Sequence, residues 1–222
     1  MVKSLVHFVT PLHEGTKRDY VARVTGADKA ACAEIAKQWG KEYWDGDRNH
    51  GYGGYRYDGR WAKVARLLID YYGLKDGQRV LDIGCGKGYL LFELKKILPG
   101  LDVVGLDISE YAVENGKEEI KDYLQVGDAV SLPFEDDSFD LVISLMTLHN
   151  LPIYDLGKAL QEMERVKRGD AYLYIESYRN EQEKVNLLYW QLTCESMFSV
   201  KEWHWVFENF GYTGDFEFAF FT

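Results

Sequence analysis

The chain has 222 residues, 46% apolar and 15% aromatic, enough to bury a substantial core in one domain and too few for two catalytic domains. That composition excludes disorder as the main state. Twenty-six Lys+Arg against 36 Asp+Glu give a formal charge of −10, which makes a long polyanion a poor default partner and argues against nucleic acid. The charge is uneven: the first seventy residues carry 12 Lys+Arg and 9 Asp+Glu, and the rest is strongly acidic. A basic first third on an acidic body can hold a small anion. Cys32, Cys85 and Cys194 lie far apart, with no CxxC and no metal-ligand spacing. They read as reduced thiols in a cytoplasmic protein that binds no metal. No apolar run is long enough to span a membrane, and the opening residues meet charge and Pro11 too early for a signal peptide.

In chain order, Asp28 to Trp39 is alanine-rich and stops at Gly40, which predicts a helix. Residues 41–61 then hold Gly46, Gly51, Gly53, Gly54 and Gly59 among tyrosines and tryptophans, a density that excludes regular helix. A helix is predicted from Trp61 to Tyr72, with Val64, Leu67 and Leu68 on one face. From residue 78 onward, strands alternate with helices. The strands are Arg79–Ile83, Val103–Asp107, Tyr123–Val126, Phe139–Ser144 and Ala171–Ile175. The helices are Gly88–Leu98, one capped by Ser109, and Ile153–Val166. Ser199 caps a last helix that Gly211 closes, and Phe216–Phe221 ends the chain as a strand. The expectation is an α/β, Rossmann-like domain: a mostly parallel central sheet flanked by helices, with an N-terminal helical and glycine–aromatic lid. The lid covers residues 1–77 and the core 78–222, integrated as one domain.

The most informative segment is Val80-Leu-Asp-Ile-Gly-Cys-Gly-Lys-Gly-Tyr89. A buried strand runs into Gly84, Gly86 and Gly88 and then a helix, so the backbone can approach a ligand outside the carboxyl end of the sheet. Twenty-five residues after Asp82, Asp107 ends the second strand, where a carboxylate can accept from both hydroxyls of a ribose. A nucleoside-containing cofactor is implied. The third glycine of a dinucleotide fingerprint is replaced by Tyr89, and Asp82 beside the loop suits a cation better than a pyrophosphate. No phosphate-loop motif for ATP occurs.

Asp82-x-Gly84-x-Gly86-x-Gly88, Asp107 and Gly127-Asp-Ala-Val-Ser-Leu-Pro-Phe-Glu-Asp-Asp-Ser-Phe-Asp140, in this order, resemble a class I S-adenosylmethionine-dependent methyltransferase. The variety is similar to the ubiquinone/menaquinone-type small-molecule enzymes, and the resemblance covers about residues 78 to 177. It implies S-adenosylmethionine as cofactor and S-adenosylhomocysteine as product. It implies that Asp82, Gly84 and Gly86 hold the methionine amino end and that Gly88 belongs to the same loop. It implies Asp107 on the ribose, Ile108 on the adenine, and Asp128 and Ala129 on the adenine edge. Leu145 would lie beside the transferred methyl. Relatives usually finish with an antiparallel strand pair. Here only Phe216–Phe221 is evident, so either Gln191–Phe198 supplies another strand or the sheet is shortened.

Methyl transfer from a sulfonium is an in-line displacement, so the protein mainly aligns the partners. An oxygen acceptor can also need a base. Met146, Thr147, His149 and Asn150 follow the fourth strand, and His149 is the candidate base because its ordinary pKa is near neutrality. A histidine that packs or caps the next helix would look the same in sequence. Glu176 and Tyr178 are weaker candidates at the same sheet edge. Tyr52, Tyr55, Tyr57, Arg60 and Trp61 combine aromatic surface and a guanidinium in a glycine-rich loop, as a lid over the acceptor would. A second polar cluster runs from His13 through Lys17 and Arg18 to Arg23. The expected activity is methyl transfer to O or N of a small metabolite, an anion among the candidates. A nicotinamide-dependent oxidoreductase and a non-catalytic cofactor-binding regulator remain the alternatives.

Overall fold

The computed structural model describes residues 4–222. Six strands form one sheet: β1 (Arg79–Ile83), β2 (Asp102–Asp107), β3 (Leu124–Val126), β4 (Phe139–Leu145), β5 (Lys167–Glu176) and β6 (Asp215–Ala219). Their order is β3-β2-β1-β4-β5-β6 and every neighbouring pair is parallel. The order reverses between β1 and β4, which opens a crevice at the carboxyl ends of the strands.

Period-2 alternation decides what each face holds. Val80, Ile143, Tyr172 and Tyr174 point to one core; Leu81, Val142, Leu173 and Ile175 point to the other. The first core is covered by the N-terminal residues Val6, Phe8 and Val9, and by three helices. These are α5 (Trp61–Tyr72), α6 (Tyr89–Ile97) and α9 (Glu181–Trp190). The second is covered by α8 (Ile153–Val166) and α10 (Val200–Phe210). The helix α10 starts in a reciprocal capping box between Ser199 and Glu202, and its Trp203, Val206 and Phe207 are buried. The short helix α7 (Glu110–Glu114) is capped by Ser109, as its sequence predicts.

Before β1, α1 (Thr10–Glu14), α2 (Tyr20–Thr25), α3 (Lys29–Ala36) and α4 (Lys41–Asp45) wrap over the crevice. The predicted Asp28–Trp39 helix stops at Ala36: the Gln38 and Trp39 N–H groups bond three residues back, to the Ile35 and Ala36 carbonyls, and Trp39 then leaves helical geometry with a left-handed φ of 53°.

Residues 191–198 form no strand; they are an irregular loop. The edge beyond β6 is instead bridged by the N-terminal segment, where Leu5 pairs in parallel with Phe216. Buried carboxylates hold that face together. Asp215 accepts from the Ser4 N–H at 2.9 Å and the Tyr72 hydroxyl at 3.0 Å. Glu217, fully buried, accepts from the N–H groups of Phe8 (2.8 Å), Val9 (3.1 Å) and Thr10 (2.5 Å) and from the Tyr172 hydroxyl (2.5 Å). Glu176, at the end of β5, is also fully buried. Residues 4–10 are thus part of the sheet's packing, while α1 to α4 and the loop after them form the cover.

Candidate active site

One cavity of about 410 Å³ lies at the carboxyl ends of β1, β2 and β4, under the N-terminal cover. That volume falls in the ordinary range for a small-molecule site. Its floor is the loop after β1. Gly84 and Gly86 have φ of 79° and 55°, the left-handed region. A Cβ on Gly84 would lie 2.0 Å from Thr147 Oγ1, so this backbone packs where only glycine fits. Gly88 acts elsewhere. Its Cα faces Ile120 and Leu124, so it packs α6 against β3 and does not open onto the cavity.

Asp82 points from β1 into the cavity, is 4% exposed, and has no hydrogen-bond partner among the described residues. Burial, and then the nearby Asp107 carboxylate, push its pKa up to about 8. A buried carboxyl without a partner is costly, and a cation placed beside it would relieve the cost. Asp107 ends β2. One of its oxygens accepts from Gly86 N–H at 2.7 Å, the other from Ser109 N–H at 2.9 Å. Each keeps a second lone pair for a ligand hydroxyl. Burial raises its pKa as well, against the pull of those two N–H groups. Ile108, 53% exposed, offers an apolar surface at the rim. Asp128 and Ala129 follow β3; Asp128 accepts from Val130 N–H at 3.1 Å and remains exposed. Leu145 closes the wall beside Met146, whose φ of 57° is strained for a residue with a Cβ. Of the nine residues expected on the cofactor, the fold brings all but Gly88 to this cavity.

The glycine–aromatic loop is clamped over the glycine turn. Lys87, buried, donates to Asp45 Oδ2 at 2.6 Å and to the Tyr55 carbonyl at 3.1 Å. Tyr89 donates to the same carbonyl at 2.9 Å. Tyr111 also donates to Asp45 Oδ2, at 2.9 Å. Trp44 donates to Ser109 Oγ at 2.9 Å, and its ring covers Gly86. Tyr52, Tyr55, Arg60 and Trp61 line the cavity. Tyr57 does not: its hydroxyl donates to Glu93 on α6, outside the cavity. The guanidinium of Arg60 is held by Asp58, with Nε 2.7 Å from Oδ2.

His149 requires a correction. It sits in a 3-10 turn, Leu148–Asn150, that directs Thr147 and Asn150 to the cavity and Leu148 and His149 into the protein. The ring is 2% exposed; Nδ1 faces the Glu176 N–H and Nε2 faces Glu176 Oε2, both at 3.4 Å. The His149 carbonyl accepts from the Glu195 and Ser196 N–H groups. Burial holds the imidazole down to about 3 and pushes the Glu176 carboxyl up to about 8, so the pair is neutral at pH 7. His149 anchors the 191–198 loop and cannot reach an acceptor. Tyr178 bridges to Ser199, also away from the cavity.

Three further polar groups face the cavity, Arg18 and Asn150 from clusters visible in the sequence and Tyr174 from β5. Each has a buried polar atom with no partner: Arg18 Nε, the Tyr174 hydroxyl and Asn150 Oδ1. Among the described residues, no group of three or more His, Cys, Asp or Glu is arranged to hold a metal. No described helix is long and apolar enough to cross a membrane.

Residues 74–211 match the family described as Methyltransferase domain. The chain is 40% identical over 123 residues to demethylmenaquinone methyltransferase of Staphylococcus aureus (strain JH9), covering 53% of this chain and 49% of that protein. It therefore spans about half the length of the curated relatives it matches. The YcgJ protein of Bacillus subtilis superposes with a TM-score of 0.55 at 27% identity, over 66% of each chain. A Bacillus halodurans protein, BH2331, shares the fold at a TM-score of 0.55 and 22% identity, over 66% of this chain and 68% of that one. With the glycine turn, the two strand-end carboxylates and the parallel sheet in place, the chain belongs to the class I, S-adenosylmethionine-dependent methyltransferase family.

Proposed function

We propose that the cavity holds S-adenosylmethionine and that the chain transfers its methyl group to a small-molecule acceptor bound under the N-terminal cover. The observation that carries this reading is Asp82: a buried carboxyl without a partner, beside a left-handed glycine turn and within the field of Asp107. That pair of acceptors suits a ligand with an ammonium at one end and ribose hydroxyls at the other. When bound, S-adenosylmethionine supplies a methyl group already activated on a sulfonium sulfur.

The residues then divide the work. Asp82 would accept from the ammonium, with the Gly84–Gly86 backbone close beside it. Asp107 would accept from the ribose hydroxyls without releasing Gly86 or Ser109. Ile108 would cover the adenine, with Asp128 and Ala129 on its edge. The clamp of Lys87, Asp45 and Tyr111 holds Trp44 and Tyr55 over the site, which keeps water out and fixes the approach of the acceptor. Leu145 and Met146 form the wall between the two ends.

The Asp82 assignment carries a proton signature. Above about pH 4 the unliganded native state binds more protons at Asp82 and Glu176 than the unfolded chain does. Both groups therefore lower stability as pH rises toward 8, where their contribution is lost. An ammonium beside Asp82 reverses this at that site. At pH 6.5 both Asp82 and an α-amino group (ordinary pKa about 7.8) are protonated, and their ion pair keeps one proton of the two. Binding of S-adenosylmethionine at pH 6.5 is expected to release about one proton. Calorimetry in buffers of different ionisation enthalpy reads this directly. The Asp82→Asn variant is expected to bind more weakly and release none; release equal to wild type would remove the ion pair.

The test of the function uses S-adenosylmethionine bearing a deuterated methyl group, incubated with the protein and a small-molecule extract. The expected result is S-adenosylhomocysteine together with labelled low-mass product. Label found only on protein or nucleic acid, or no turnover above a protein-free control, would overturn the reading.

A further inference from the structure

The two ends of the cavity differ in charge. Asp82, Asp107 and Asp128 line the end assigned to the cofactor. Leu12, His13, Arg18, Asn150 and Tyr174 line the opposite end. Among the described side chains, no carboxylate lines that end or forms a close ion pair with Arg18; the Tyr20 side chain lies beside the guanidinium, and the buried Glu176 carboxyl acts on it at longer range. The guanidinium is nonetheless fixed in place. Nη1 donates to the carbonyls of His13 (3.3 Å) and Thr16 (3.1 Å), and Nη2 lies 3.1 Å from His13 Nδ1. The plane sits over Phe221 at 5.0 Å and Trp190 at 5.4 Å.

His13 can hold Arg18 only because it is neutral. Burial, and then the Arg18 charge, bring its pKa down to about 4. Its Nε2 lies 2.9 Å from the Phe220 carbonyl and so carries the proton, leaving Nδ1 to accept from Arg18. Both ring nitrogens are engaged, so His13 offers no base to an acceptor. This scaffold leaves the Nε–H of the guanidinium buried without a partner. The Tyr174 hydroxyl, 1% exposed, is likewise buried and unpartnered, and it lies within the electrostatic reach of Arg18. Two buried, unused donors therefore lie on and near one positive charge, in the same cavity as the methyl-donor end. Apolar side chains, Met146 and Leu151, fill the wall between.

We infer that Arg18 Nε and the Tyr174 hydroxyl form the anion-binding end of the acceptor site, and that the acceptor is a small carboxylate with an apolar body. The inference deepens the proposed function and rests on it for the word acceptor; the anion site itself does not. Its logic is desolvation. Buried free donors on and beside a half-buried cation are expensive to leave unmatched, and a carboxylate brings two acceptor oxygens and the opposite charge. Neutral analogues of the same shape would satisfy hydrogen bonding in part and leave the charge uncompensated.

The test uses benzoate and hexanoate as probes, each against its own amide, with binding read by NMR titration on the full chain saturated with S-adenosylhomocysteine and on the full chain alone. At least one carboxylate is expected to bind ten-fold or more tightly than its amide. Arg18→Gln is expected to abolish that preference, and Tyr174→Phe to weaken the carboxylate about five-fold. Both variants are expected to keep wild-type affinity for S-adenosylhomocysteine. Equal binding of acid and amide to the wild-type protein, or no binding of any probe, would overturn the inference without recourse to a variant. Carboxylate preference unchanged in both variants would also overturn it. If S-adenosylhomocysteine does not bind but the Arg18-dependent preference is present, the anion site stands and the methyltransferase reading of the cavity falls.

Discussion

Glu217→Ala is expected to destabilise the protein by about 4 kcal/mol, the largest stability effect expected of any single substitution named for this protein. Glu217 is fully buried on β6, between Phe216 and Phe218 in sequence, and points to the face that receives residues 8–10. Its two oxygens satisfy three consecutive N–H groups, of Phe8, Val9 and Thr10, and the Tyr172 hydroxyl. Truncation leaves four donors with no acceptor, three of them buried and that of Thr10 half-buried; each buried one costs roughly 1–3 kcal/mol, part of which relaxation recovers. At this chain length the loss corresponds to a fall in Tm of roughly 10 °C. Glu217→Gln, which keeps one acceptor oxygen and the volume, is expected to lose about half as much. Chemical and thermal denaturation of the two variants checks this. A Tm within about 2 °C of wild type for Glu217→Ala would mean that the N-terminal segment is not integrated with the sheet. The cover over the cavity would then be a loosely attached flap.

The second large effect concerns the cofactor. Asp107→Ala is expected to weaken S-adenosylhomocysteine binding by about 3 kcal/mol, roughly a hundred-fold. Two losses combine. The ribose hydroxyls lose their carboxylate acceptor, a charge-assisted interaction. The glycine turn also loses its brace, because Gly86 N–H and Ser109 N–H donate to Asp107 in the free protein. Ser109 in turn holds Trp44, so slackening there spreads to the cover. Ile108→Ala offers a contrast at the neighbouring position. It removes an exposed apolar surface and braces nothing, so a loss of about 1 kcal/mol is expected. Binding to Asp107→Ala within a factor of about three of wild type would remove the ribose assignment.

These effects show which parts of the site were legible in sequence. Asp82, Gly84, Gly86 and Asp107 are local. A short apolar strand, a glycine spacing and the end of the next strand place them, and strand parity turns Asp82 toward the cavity. The anion-binding end is not local. Arg18 meets Tyr174 and Phe221 from the far end of the sequence, because the N-terminal segment crosses to β6. A signal was present all the same. Tyr172, Tyr174 and Glu176 on β5, and Asp215 and Glu217 on β6, put polar groups on one parity of buried strands. Such a face must meet donors from elsewhere in the chain.

His149 marks a different limit. It lies at the carboxyl edge of the sheet, as a base should, and a phase of one residue in the turn after β4 decides whether it faces acceptor or core. No sequence pattern sets that phase, and the neutral pair with Glu176 sits in the core position. The helix α9 escaped notice because Val185, Leu187, Leu188, Tyr189 and Trp190 are spread around its circumference and leave no single apolar stripe. Its start was readable: the Asn180 side chain accepts from the Glu183 N–H, an ordinary N-cap. The missing antiparallel strand pair follows from β6 itself. It pairs in parallel with β5, and its outer edge is occupied by Leu5 and its neighbours, which leaves no place for a further strand there.

The cavity between Asp82 and Asp107 is the proposed methyl-donor site. Calorimetric titration of the wild-type chain with S-adenosylmethionine and S-adenosylhomocysteine, with NAD as the control ligand, tests it most directly. One-to-one binding of both at micromolar affinity or better, about −8 kcal/mol, with no heat from NAD, is the expected result. Binding of NAD, or silence with both S-adenosyl ligands from about pH 6.5 to 8, would contradict it.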